Sequence, residues 1–310
     1  EALIPLLNDW PDMIMFCSDD KHPDSLAIGH IDQLCARAVT KGVEVFNILQ
    51  AACVNPVLHY KLNVGLLREN DCADFILVND LKDFKVQQTY IDGVLVAADG
   101  KSNIQTEKSN VINHFNCKAR TVEEFEVLYN GEKSIDVIEA LDGQLITNRL
   151  QLPPKVVNGK IECDIESDIL KIIVINRYQD ASVAKAWIKN FGFRKGAIAS
   201  SIAHDSHNII AVGTNDNDLC RAVNLVIAES GGVSCVNGVN EKILSLPVAG
   251  LMSNEDGYAI AKSYTEIDEM AKQLGSDLAA PFMTLSFMAL LVIPHLKLSD
   301  KGLFNGDDFC

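Results

Sequence analysis

A chain of 310 residues with 48% hydrophobic content is long enough to bury more than one core. Its formal charge of −15 argues against nucleic acid or an anionic membrane as a partner, because such a surface repels phosphates. The nine cysteines form no Cys-x-x-Cys pair. They read as reduced, buried thiols of a cytoplasmic protein, with neither a zinc ribbon nor a disulfide framework indicated.

In chain order, residues 1–10 read as the tail of a helix ended by Pro11, and residues 13–17 as a buried strand. Ile31, Leu34, Cys35 and Ala38 recur at helical spacing, and Gly42 closes that helix. Val45, Ile48, Leu49 and Ala52 repeat the pattern in a second helix. It is predicted to stop before Asn55-Pro56, since a residue preceding proline is pushed out of the α region. Residues 73–78 and 89–96 read as strands, the second split by the Asp92-Gly93 turn. The polar stretch 102–108 reads as a linker.

Beyond it, strands are predicted over 124–129, 135–141, 169–175, 196–203 and 209–213, with helices over 183–190 and 218–229. Residues 233–246 read as a hairpin over Asn237-Gly238, and Ile267, Met270, Ala271 and Leu274 mark a helix stopped by Gly275. The apolar run 278–293 is shorter than the roughly 20 residues a membrane span needs, and Pro281, Thr284 and Ser286 interrupt it. It reads as a buried helix with Asp277 near its cap and Pro281 in its first turn. Thr121-x-x-Glu124 has the form of a capping box. Strands mixed with helices predict an α/β or α+β domain, and the chain as a whole reads as soluble.

Two polar clusters interrupt these apolar elements. Asp19 and Asp20 follow Ile14-Met15-Phe16 after Cys17-Ser18, where a βα barrel keeps its chemistry at the carboxyl end of a strand. Such a carboxylate can hold a metal ion and relay a proton, or it can simply cap the following helix. His22 beside Pro23 is a further loop histidine. His204-Asp205-Ser206-His207-Asn208 sits between two apolar strands. It suits metal binding, substrate orientation or proton transfer, and equally a tight turn bonded to its own backbone. His30, His59, His114 and His295 have no polar cluster around them in sequence.

The segment Phe16-Cys17-Ser18-Asp19-Asp20-Lys21-His22-Pro23, with Gly29-His30-Ile31 after it, resembles the last barrel strand and loop of adenine deaminases, members of the amidohydrolase superfamily. Ala51-Ala52-Cys53-Val54-Asn55-Pro56 resembles the superfamily's Ala-Thr-x-Asn-Pro segment, and Ala73-Asp74-Phe75-Ile76-Leu77-Val78 and Ile91-Asp92-Gly93 its small β-sandwich. In that family a glycine usually stands three residues before the Ala-Asp pair; here Asn70-Asp71-Cys72 fills the interval. The His204 to Asn208 run, Leu246-Pro247-Val248-Ala249-Gly250-Leu251-Met252-Ser253 and Pro281-Phe282-Met283-Thr284-Leu285-Ser286-Phe287 resemble the family's carboxyl-terminal domain.

The resemblance implies an α/β chain in three parts. Residues 1–60 would be the terminal βα unit of a metal-dependent TIM-type barrel, 61–105 strands of a small β-sandwich, and 106–310 the carboxyl-terminal α/β (α+β) domain. It implies hydrolytic deamination of adenine to hypoxanthine and ammonia in purine salvage, with a divalent pair (Mn2+ or Fe2+, or Zn2+) activating water. Asp19 would be metal ligand and general acid/base, and Asp20, His22, His204 and His207 would contact the purine. The family's other ligands include a His-x-His pair, which this sequence lacks. The chain is therefore expected to be the distal part of a longer, homo-oligomeric enzyme and inactive without the upstream barrel. The rival readings are an amidohydrolase acting on another heterocycle, and a non-catalytic purine-binding or oligomerisation module.

Overall fold

A computed structural model describes residues 2–105 and 110–309. The chain divides into two compact units, Glu1–Glu107 and Lys108–Cys310. Glu1 of the expected first helix, residues 106–108 of the expected linker and Cys310 lie outside the described residues. The eight described cysteines are free thiols; Cys35, Cys163, Cys220 and Cys235 are buried, but Cys17, Cys53 and Cys72 are exposed, against the expectation that the thiols are buried.

The first unit opens with short helices: α1 (Leu6–Asp9), a 3-10 turn (Pro11–Met13), α2 (Pro23–Leu26), α3 (Ile31–Thr40) and α4 (Val45–Leu49). Leu7, Cys35, Ala38, Ile48, Ala51 and Phe84 form its core. The chain leaves α3 through Gly42, whose φ of +80° is left-handed and favours glycine. Glu44 caps α4, its carboxylate accepting from the Phe46 N–H at 2.7 Å.

Two expectations fail in this unit. Residues 13–17 form neither a strand nor a buried segment: Ile14 is extended, but no strand pairs with 13–17 among the described residues. One tie to the helices is Phe16 N–H donating to the Ala51 carbonyl at 3.2 Å. The second helix also does not stop before Asn55-Pro56. A π-helical turn (Gln50–Val54) carries it into α5 (Asn55–Tyr60), with Pro56 in that helix's first turn, where the missing N–H is not needed. Asn55 is buried and keeps αR geometry. Its side-chain NH2 donates to the carbonyls of Pro11 and Ile14, both at 2.7 Å, and its oxygen accepts from Gln50 at 2.7 Å. These bonds outweigh the bias of a pre-proline residue against the helix.

One antiparallel four-stranded sheet follows, β1 (Phe75–Val78), β2 (Val86–Ile91), β3 (Val94–Ala98) and β4 (Lys101–Ser102), in that order. Asp92 and Gly93 both take positive φ in the β2–β3 turn, as anticipated. Asp74 accepts from the N–H groups of Gly65 and Asp92, each at 2.8 Å, and these bonds hold its carboxyl below the usual range. That is the structural use of the Ala73-Asp74 pair.

The second unit is built on an eight-stranded sheet. Its strands are β5 (Ile135–Ala140), β6 (Thr147–Leu152), β9 (Ile169–Ile175), β10 (Ala184–Lys189), β11 (Ala197–Ser200), β12 (Ile209–Gly213), β13 (Gly232–Asn237) and β14 (Asn240–Ser245). The spatial order is β14-β13-β11-β12-β9-β10-β5-β6, parallel only between β5 and β10. β7 (Lys155–Val157) pairs with β8 (Lys160–Glu162), and β15 (Leu296–Ser299) with β16 (Gly302–Asn305), in separate hairpins.

Every residue of β9 is buried because both faces of the sheet are covered. Ile173 and Ile175 pack with Leu219, Val223 and Val226 of α6 (Asp216–Ala228). Ile172 and Val174 belong to the opposite core, with Ile267 of α7 (Gly257–Lys272) and Leu285 of α8 (Pro281–Phe287). A mixed α/β unit was expected, and this is its layered form. Lys171 is buried within β9, and its ammonium bonds Asp216 at 2.5 Å and the Phe125 carbonyl at 3.0 Å.

Three local expectations are corrected here. Residues 183–190 form strand β10 rather than a helix. Val183, Trp187 and Ile188 mimic helical spacing, but pairing to β9 and β5 on either side decides the conformation. Residues 124–129 are not a strand. The Thr121–Glu124 capping box, present as anticipated, winds a 3-10 turn over Val122–Phe125 instead. The apolar run 278–293 is helical only over Pro281–Phe287, and its N-cap is Ala280, not Asp277.

Candidate functional site

In the first unit Asp19 lies in the loop between residues 14–17 and α2. Its φ is +53°, and its Oδ1 accepts from the Asp20 N–H at 2.8 Å, a turn that holds the carboxylate outward. Asp19 and Asp20 are exposed, and His22 is half-buried. Ser25 Oγ donates to the His22 carbonyl at 3.0 Å, and Lys21 Nζ to the Gly29 carbonyl at 2.6 Å, closing the loop on itself. His30, given no role from sequence, is drawn into it. Its Nε2 lies 2.6 Å from Ser18 Oγ. One loop thus gathers Asp19, Asp20, His22 and His30.

In the second unit His204 and His207 occupy the loop between β11 and β12. The two rings meet edge to face at 5.5 Å, and His204 stacks on Phe287 of α8 at 5.3 Å. His204 N–H donates to the Ser286 carbonyl at 3.1 Å, and the Tyr178 hydroxyl to the Ser206 carbonyl at 2.9 Å. Asn208 is buried, and its Oδ1 accepts from the Arg177 N–H at 3.3 Å. The loop is therefore anchored at both ends, and its histidines are held as a pair. Behind it Lys297 is fully buried, its ammonium donating to the carbonyls of Leu145 at 2.6 Å and Phe287 at 3.1 Å; burial pushes its pKa down to about 8.

Sequence reasoning missed Arg177 and Tyr178. Both stand just past the largely apolar strand β9, with Asn176 between, where polar residues are offered at a strand end. It also passed over His295, whose Nδ1 lies 2.7 Å from the Asp307 carboxylate.

A divalent pair needs several ligands, and among the described residues no group of three or more His, Cys, Asp or Glu side chains is placed to hold a metal ion. Asp19 offers one carboxylate; the described residues do not fit a metal pair by themselves. The two histidines of the 204–208 loop contact each other and Phe287 through their rings.

Residues 1–96 match the amidohydrolase family. Residues 144–310, more than half of the chain, match the adenine deaminase C-terminal domain, and the chain belongs to that family. It is 49% identical over 311 residues to an adenine deaminase of Salinibacter ruber, covering 100% of this chain and 57% of the relative. It is 50% identical over 312 residues to one of a Sulfurovum species, covering 100% of this chain and 56% of that protein. With the adenine deaminase of Borreliella afzelii the identity is 46% over 316 residues, with 100% and 58% covered. The chain thus spans less than two thirds of the length of these relatives.

Proposed function

We propose that this chain is the distal part of an enzyme that hydrolyses adenine to hypoxanthine and ammonia. The observation that carries the reading is the likeness, along its whole length, to proteins named adenine deaminase. Water adds to C6 of the purine, and the C6–N bond to the amino group breaks. Asp19 takes the proton from the attacking water and returns it to the departing nitrogen, which leaves as ammonia. An exposed carboxylate on a loop tied down at both ends is suited to that exchange. Asp20 and His22 are the proposed contacts to the base, and a role in substrate binding is also proposed for His204 and His207.

In this proposal residues 14–17 are the closing strand of a TIM-type barrel, and β1–β4 belong to a small β-sandwich. The divalent pair, manganese or iron or else zinc, draws its ligands other than Asp19 from the part of the enzyme this chain does not span. Purine salvage, a cytoplasmic setting and assembly from several copies belong to the same proposal. No helix among the described residues is long and apolar enough to cross a membrane.

The test joins the chain behind the part of the Salinibacter ruber relative that it does not span and measures ammonia release from adenine. Asp19→Asn should lower turnover by about 100-fold to 10,000-fold, the usual worth of a positioned acid/base. Replacing both His204 and His207 by alanine should raise KM for adenine. Unchanged turnover with Asn at position 19 contradicts the assignment.

A further inference from the structure

We propose that the second unit binds a small oxyanion, a carboxylate or phosphate, at Arg177. Arg177 is only 4% exposed, yet its Nε and Nη1 are buried with no hydrogen-bond partner. A guanidinium carries five donors and never gives up its charge inside a protein, so each unmatched N–H is an uncompensated loss of solvation. Among the described residues no carboxylate pairs with it, although the chain holds 42 acidic residues.

The position is built rather than incidental. Nη2 donates to the Tyr178 hydroxyl at 3.0 Å, and that hydroxyl is itself fixed by donating to the Ser206 carbonyl at 2.9 Å. The guanidinium carbon lies 4.8 Å from the centre of the Tyr178 ring. The Arg177 backbone is held on both sides, its N–H by Asn208 Oδ1 at 3.3 Å and its carbonyl by the Asn116 N–H at 2.7 Å.

Gly250 admits the head group. A Cβ there would stand 1.7 Å from Nη1, and the glycine φ is +68°. The turn that carries Gly250 is pinned in turn by Ser201 Oγ, donating to the Gly250 carbonyl at 2.5 Å.

A cation oriented through one nitrogen, with the other two left unmatched, is how a fork for an oxyanion is prepared. An oxyanion supplies the missing acceptors and the missing charge together. Nothing in this requires the chain to act on adenine, so the outcome below is independent of the deaminase reading.

The experiment titrates the 310-residue chain with inorganic phosphate and, separately, with acetate, against sodium chloride at equal ionic strength. The melting temperature and calorimetric heats are recorded. The expected result is a saturable rise in melting temperature with at least one oxyanion and none with chloride. Phosphate alone acting identifies a phosphoryl ligand, and acetate alone a carboxylate. Arg177→Met, checked for folding by circular dichroism, should abolish the saturable response. Should that variant not fold, Arg177→Lys, which keeps the charge and loses the planar fork, should weaken binding by about tenfold or more. No saturable response in the wild-type chain, or equal affinity in the variant that folds, overturns the proposal.

Discussion

Lys297 shows what a single buried charge does to this fold. Its folded pKa, about 8, lies below the ordinary 10.5. Between those values the unfolded chain binds more protons than the folded one, so this lysine makes stability rise with pH across that window. Comparing melting temperatures of the wild-type chain and Lys297→Met from pH 7.5 to 10 isolates the effect. The wild type should gain on the variant as pH rises; a difference that does not change with pH contradicts the stated cause. His204 sits on the same support, since the Phe287 ring lies under its imidazole and the Phe287 carbonyl takes the lysine. Asp19 could be singled out as a candidate because two adjacent carboxylates two residues past Ile14-Met15-Phe16 stand out in sequence. Arg177 could not, because an isolated arginine after a strand has no local mark. That no carboxylate among the described residues pairs with it is visible only in three dimensions.

At the scale of elements, Asn55 and α6 carry the testable claims. Asn55→Ala removes the two bonds that hold the carbonyls of Pro11 and Ile14. It should destabilise the first unit by about 1–3 kcal/mol, with faster amide exchange over 14–17, because partly buried carbonyls are left unmatched. Normal exchange there would show that the segment is held by other means. Leu219 is fully buried between α6 and the sheet. Truncating it to alanine should cost about 2–5 kcal/mol in denaturant melts, while a loss under 1 kcal/mol would mean that the layer collapses to fill the gap. Strands β9 and β12 were legible to the residue, since runs rich in β-branched and aliphatic side chains, bounded by polar ones and too short for a typical helix, fit strands buried on both faces. β10 was not, because Val183, Trp187 and Ile188 fit a helix equally well and only its two neighbours in the sheet decide. The 3-10 turn at Val122–Phe125 shows the reverse case, with the Thr121–Glu124 box overriding an apolar stretch read as a strand.

For the whole molecule, the mixture of strands and helices was apparent from the alternation of periods along the chain. The sheet order was not. β9 lies between β12 and β10, and β11 between β12 and β13, pairings between segments whose sequences carry no sign of one another. The same limit governs the chemistry. A loop bearing Asp19 can be read from sequence, whereas a metal-holding set needs several loops brought together, and the described residues contain none. The central claim is therefore that this chain contributes a proton-relaying carboxylate to adenine hydrolysis and cannot perform the reaction by itself. It is tested most directly by following hypoxanthine formation from adenine with three proteins: the chain alone, the chain joined to the remainder of the Salinibacter ruber relative, and the joined protein with Asp19→Asn. The account predicts turnover only in the second. Turnover by the chain alone, or undiminished turnover after the substitution, would contradict it.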